Sequence, residues 1–166
     1  MAGDSVSFWE LPQYIVAVSP RAGSTSFARA YPDAVRIDPR KDGEKFQRKG
    51  CVYYMRNPLS RLVSAYKAFL TVNKGTKHSP PQEALADFSK FVDHCVHKRN
   101  EHWDPVYPYM DFITEIRHFE KFSDLVGDTR ENRSKPLSVF INHETFAKIA
   151  AHWCRDFLIY YSIKEV

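Results

Sequence analysis

The chain has no long apolar run, no Cys-x-x-Cys pair and no lysine-bearing phosphate loop. No stretch approaches the roughly 20 apolar residues that a helical membrane span requires. The opening MAGDSVSFWELPQ has neither the basic start nor the apolar stretch of a secretory signal. A soluble, cytoplasmic protein without a membrane span is therefore expected. The three cysteines, Cys51, Cys95 and Cys154, have no metal-ligand spacing, so they are expected to be small buried hydrophobes in a reducing compartment. Internal repeats and low-complexity tracts are also missing, which excludes solenoid and linker classes.

What is present belongs to a globular domain. Of 166 residues, 43% are hydrophobic and 14% aromatic, which is incompatible with a disordered chain. The length fits a single domain spanning residues 1–166. A net charge of +4 suits an anionic ligand, although many plain soluble domains share it. Arg36 to Lys49 carries six basic and three acidic residues and is read as solvated surface. No stacking motif accompanies it, so no nucleic-acid partner is expected.

Periodicity assigns the elements. Tyr14 to Val18 is a short continuous apolar run that ends in turn and cap residues, the pattern of a strand buried on both faces. A helix from Ser24 to Tyr31 follows and must stop before Pro32. Ala34 to Asp38 predicts a shorter strand, and Cys51 to Met55 another. Leu59, Leu62, Val63, Tyr66, Phe69 and Leu70 form one face of an amphipathic helix. Ser79-Pro-Pro-Gln82 has the form of a capping box for a helix with Leu85, Phe88, Phe91, Val92, Cys95 and Val96 on its apolar face. A strand is expected around Phe112 to Phe119, and a polar loop over Asp128 to Pro136. Asn142 caps a last helix whose buried stripe is Phe146, Ile149, Ala150, Trp153 and Phe157, with Ile141 and Phe146 as a hydrophobic staple. Alternation of strands and helices predicts an α/β fold: a single P-loop-like domain with a short, mainly parallel sheet flanked by helices.

Two strand-to-helix junctions carry candidate chemistry. The first, Pro20-Arg21-Ala22-Gly23-Ser24-Thr25-Ser26, offers backbone N–H groups, a glycine permitting close approach, three hydroxyls and a cation, which together suit a phosphate. It is not a Walker A loop, because the cation precedes the glycine and no lysine follows. The second is Met55-Arg56-Asn57-Pro58, with Ser64 eight residues beyond Arg56 on the polar side of the next helix, alongside Ser60 and Arg61. An arginine at a strand end and a serine from the following helix can grip a second phosphate.

With both junctions in view, the chain resembles the PAPS-dependent sulfotransferases, nearest their carbohydrate branch. SPRAGSTS is similar to that superfamily's 5′-phosphosulfate loop, and RNPLSRLVSAYKAF to its 3′-phosphate motif. Glu101-His102-Trp103-Asp104-Pro105, Asp111-Phe112-Ile113, Phe119-Glu120, Glu131-Asn132-Arg133-Ser134-Lys135 and Asp156-Phe157 with Tyr161 resemble later segments of the branch, so the likeness spans Tyr14 to Tyr161. It implies that 3′-phosphoadenosine 5′-phosphosulfate (PAPS) is the sulfuryl donor, that PAP is released and that no metal is needed. Arg21, Ala22, Gly23, Ser24, Thr25 and Ser26 would then hold the 5′-phosphosulfate, and Arg56 and Ser64 the 3′-phosphate. Arg133, Ser134 and Lys135 would close over the nucleotide. Arg21, where many relatives carry lysine, would stabilise charge on the departing oxygen. The general base is left between Asp38 and His102. The acceptor would be a carbohydrate or other hydroxyl-bearing molecule. The competing classes are a catalytically inactive nucleotide- or nucleic-acid-binding module and a P-loop-like phosphotransferase.

Overall fold

In a computed structural model, the described residues are 6–71, 74–76, 79–127 and 138–164. Five strands form one sheet: β1 (Ser7–Glu10), β2 (Ile15–Val18), β3 (Val35–Ile37), β4 (Cys51–Met55) and β5 (Glu115–His118), in the spatial order β3-β1-β2-β4-β5. Seven α-helices flank it among the described residues: α1 (Ser24–Ala30), α2 (Gly43–Lys49), α3 (Pro58–Leu70), α4 (Phe88–His97), α5 (Phe122–Val126), α6 (His143–His152) and α7 (Cys154–Ser162). None of the described helices is long and apolar enough to cross a membrane.

The α/β expectation holds, but the sheet is mixed rather than mainly parallel. β2, β4 and β5 run parallel, whereas β1 pairs antiparallel with both β2 and β3. The difference comes from Ser7–Glu10, which the sequence reading left outside any element. Leu11 to Tyr14 forms a tight connection closed by Leu11 N–H donating to Tyr14 O at 2.9 Å. That connection folds Phe8 back against Ala17, and a short hairpin can only pair antiparallel.

Side-chain alternation divides the sheet into two apolar faces. Phe8, Ile15, Ala17, Tyr53 and Met55 face Val106, with Tyr160 of α7 packed beside them. Val16, Val18, Val52 and Tyr54 face Phe27 of α1 and Phe122 of α5. A separate helical core gathers α3, α4 and α6 around Trp103, which is 1% exposed. Full burial of each such aromatic stabilises the fold by roughly 1.5–3 kcal/mol.

Several local expectations need correction. The charged run from Arg36 contains α2, held by the single buried Phe46 and by Lys45 and Lys49, both of which pair with Glu10. The Ser79 capping box does not form. Asp87 caps α4 instead, its Oδ1 accepting from Lys90 N at 2.8 Å, and Gln82–Leu85 is a separate 3-10 turn. The expected strand over Phe112 to Phe119 shrinks to Glu115–His118 between two 3-10 turns. Asn142 does cap α6, accepting from Thr145 N at 2.8 Å, but the helix breaks at Trp153 and Phe146 is 55% exposed. Cys51 and Cys95 are buried, with burial pushing the Cys51 thiol up to about 12, while Cys154 is exposed. The loop expected over Asp128 to Pro136 lies outside the described residues.

Candidate functional site

The parallel strands β2 and β4 lie side by side with Ile15 opposite Cys51 and Ala17 opposite Tyr53. Both chains therefore leave the sheet at the same edge, about 4.8 Å apart. At the end of β2, Ser19 is fully buried and its hydroxyl lies 2.7 Å from that of Tyr53. Ala22 N–H donates to Ser19 O at 3.0 Å, closing a tight turn before α1. Two residues in this turn have left-handed backbone: Arg21 with φ 65° and Gly23 with φ 87°. For arginine that conformation costs about 1–2 kcal/mol. At Gly23 a Cβ would sit 2.3 Å from a ring carbon of Phe122, so α5 packs directly against the turn. Of the three hydroxyl residues that follow, Ser24 is half-buried, Thr25 exposed and Ser26 buried.

Arg56 follows the last residue of β4, and Asn57 caps α3 by accepting from Ser60 N at 3.2 Å. Arg56 Nη1 donates to Arg21 O at 2.7 Å, which ties the two junctions together. The Arg56 guanidinium lies over Phe119, 5.8 Å from the ring centroid. Among the described residues neither Arg21 nor Arg56 has a carboxylate ion-pair partner. Burial pulls both below the usual arginine value; at Arg56 the charge of Glu120 opposes the shift and that of Arg21 adds to it. Arg21 Nε is buried without a hydrogen-bond partner. Two neighbouring cations, partly desolvated and bridged only through a backbone carbonyl, favour an anion between or beside them.

The remaining expected residues fall in different places. Ser64 is half-buried on α3, but Arg61, assigned to the same polar side, is 3% exposed. Its Nη2 donates to Trp103 O at 3.2 Å and to Asp104 O, so it anchors the Glu101–Pro105 segment. Asp156 anchors the chain just beyond, accepting from Val106 N and from Tyr107 N at 2.9 Å. His102 has its ring 5.2 Å from that of Phe69, and its Nδ1 is 2.8 Å from Asn100 Oδ1. Phe69 stands eleven residues beyond Pro58, roughly 16 Å along α3 from the end adjoining Arg56. His102 is thus not brought beside the two arginines. Arg133, Ser134 and Lys135 lie outside the described residues.

Asp38 does reach the same sheet edge. Phe8 pairs with both Ala17 and Ile37, which sets the end of β3 level with the end of β2, two strand spacings or about 10 Å away. Its carboxylate accepts from Arg40 N at 3.0 Å and Arg40 Nε at 3.2 Å, and these bonds hold it below the usual carboxylate range. A cleft of about 300 Å³ opens there, with Ser7, Arg36 and Asp38 in its wall. A larger cleft of about 570 Å³ lies apart, against Tyr66 and Leu70 near the far end of α3.

His118 was given no role by sequence reasoning. β5 pairs in parallel with β4 so that His118 stands opposite Met55, one residue before Arg56. The available signal was its position near the end of a predicted strand. Among the described residues, no group of three or more His, Cys, Asp or Glu could hold a metal ion. Comparison with protein families, curated proteins and solved structures finds no match.

Proposed function

We propose that the chain is a PAPS-dependent sulfotransferase on a P-loop-like domain. It moves a sulfuryl group by in-line displacement from PAPS to an acceptor hydroxyl, with carbohydrate as the favoured acceptor class, and releases PAP. The observation that carries this reading is the Arg21–Arg56 pair. The two stand at the carboxyl edge of neighbouring parallel strands, partly buried, without an ion-paired carboxylate among the described residues and beside a glycine that Phe122 keeps free of a side chain. Carboxyl edges of parallel strands are where α/β sheets bind ligands. A donor with a phosphosulfate at one end and a 3′-phosphate at the other matches two cations on two junctions.

Arg21, with the turn from Ala22 to Ser26, would take the phosphosulfate, and Arg56 with Ser64 the 3′-phosphate. Negative charge grows on the oxygen between sulfur and the 5′-phosphate as that bond breaks. A fixed cation aimed there stabilises the transition state more than the ground state. Arginine gives this stabilisation by charge and hydrogen bonds alone, since it does not surrender a proton.

Calorimetric titration with PAP in metal-free buffer, repeated with ATP and Mg²⁺, tests the proposal. Micromolar or tighter PAP binding with weak ATP binding is expected. Preference for ATP with Mg²⁺ would point to a phosphotransferase, and failure to bind either nucleotide would leave a binding module for some other ligand.

A further inference from the structure

We infer that the cleft between the start of β1 and the end of β3 seats the acceptor and selects an acidic sugar through Arg36, an inference that rests on the sulfuryl-transfer reading above. Arg36 binds a carboxylate or sulfate carried beside the reacting hydroxyl. Register sets the place. Ser7 stands opposite Val18 at the end of β2, and the pairing of Phe8 with Ile37 sets Ser7 level with Asp38, just beyond β3. Ser7, Arg36 and Asp38 all line the cleft, whose volume is about 300 Å³. Its Ser7 wall is thus one strand spacing, about 4.8 Å, from the strand that delivers the Arg21 turn. β4, which delivers Arg56, lies on the other side of that strand. A donor laid from Arg21 to Arg56 therefore runs away from the cleft and leaves its sulfuryl end nearest to it.

The faces of the sheet agree with this placement. Phe8 and Ile37 belong to the face packed with Tyr160 of α7. Alternation sends Ser7 and Arg36 to the opposite face, the one that carries Val18 and Phe27 of α1. α1 starts from the Arg21 turn, so the polar wall of the cleft and the phosphosulfate turn share one face of the sheet.

The chemistry of the wall selects the ligand. Arg36 is exposed and makes no ion pair among the described residues. The Asp38 carboxylate, in contrast, accepts from Arg40 N at 3.0 Å and Arg40 Nε at 3.2 Å, which keeps it ionised. Asp38 can accept from sugar hydroxyls but repels an anion, so an acidic substituent is directed to Arg36. The guanidinium fork matches the paired oxygens of a carboxylate or sulfate. An acidic acceptor must also approach the phosphosulfate, which is itself anionic, and a cation on that path offsets the repulsion. At about 300 Å³ the cleft is at the small end of ligand sites, which suits one sugar residue with its neighbours in solvent.

The test titrates PAP-saturated protein, followed by NMR, with three disaccharides: one containing an unsulfated uronate, its carboxyl-reduced counterpart, and a sulfate ester of that neutral form. The wild type is expected to bind at least one acidic form about tenfold or more tighter than the neutral one, with the backbone amides of Ser7 and Arg36 shifting. The tighter acidic form identifies the substituent. In Arg36→Gln the preference is expected to shrink to within about twofold, with PAP affinity also kept within about twofold. Arg48→Gln, which removes an exposed cation on α2 outside the cleft, should retain the preference. Equal binding of acidic and neutral forms, no binding of any, or a preference that survives Arg36→Gln overturns the inference and leaves the donor reading standing. Absence of PAP binding by the wild type removes both. If Arg36→Gln does not fold, the wild-type preference and the Ser7 and Arg36 amide shifts decide: both present supports the cleft, and either missing overturns it.

Discussion

Replacing Arg56 by methionine separates a ligand-binding arginine from a structural one, because the two roles predict opposite outcomes. In the free protein Arg56 makes one hydrogen bond among the described residues, to Arg21 O at 2.7 Å, and rests on Phe119. Losing the hydrogen bond costs about 1 kcal/mol. Methionine keeps the apolar stem over the ring, and removing a partly buried charge beside Arg21 offsets the loss. The unliganded Arg56→Met protein is therefore expected to unfold within about 1 kcal/mol of wild type in urea. Binding should respond differently. A charge-assisted contact to a phosphate contributes about 1.5–3 kcal/mol, which is a 10- to 150-fold rise in the PAP Kd. At a PAP concentration of 100 Kd the wild type gains about 2.7 kcal/mol of stability, and the variant should gain much less. Paired urea titrations and calorimetry measure both quantities on the same samples. Loss of more than about 2 kcal/mol of stability with PAP affinity intact would refute the reasoning and make Arg56 a structural residue.

Gly23→Ala should destabilise the protein by about 2–4 kcal/mol, combining left-handed backbone with a Cβ placed 2.3 Å from the Phe122 ring. Adding Phe122→Leu should recover at least about 1 kcal/mol of that loss in a double-mutant cycle; strict additivity would show that the ring is not the obstacle. Glu10 is held below its ordinary value by hydrogen bonds from Lys45 and then Lys49. Its contribution is thus present above the usual carboxylate pKa and lost as pH falls through the lowered one. Glu10→Gln should be less stable than wild type at pH 7, with the gap closing as pH falls through the lowered Glu10 value and shrinking in high salt. Burial lowers His94 and His152, so stability should fall as pH drops through the ordinary histidine range. The double variant His94→Gln/His152→Gln should show a flatter decline between about pH 7 and 5.

Elements with strong local signals were legible in the sequence. Cys51–Met55 is a continuous apolar run and forms β4 with those limits. Asn142 caps its helix through the side chain, as its residue type suggests. Elements stabilised mainly by distant partners were not legible. Ser7–Glu10 is four residues with no clear alternation, and it becomes a strand because β2 and β3 offer it edges on both sides. α2 buries one residue, Phe46, and depends on Glu10, more than thirty residues earlier. Phe146 fits the helical stripe by spacing yet faces solvent, because α6 turns Thr145 and Ile149 inward instead.

The sequence by itself determined that two strand-to-helix junctions carry arginines, that one of them contains a glycine where the chain must turn, and that the chain mixes strands with helices. These are local properties, fixed by residue type and short-range periodicity. Only the tertiary structure decided that the two junctions are neighbours, that Arg61 is an internal brace, that His102 stands far along α3, and that His118 ends level with Met55. Strand order and register come from pairing between residues distant in the chain. Hydrophobic patterning says which face of an element is buried, but the partner covering that face is selected only when all the faces compete for burial at once.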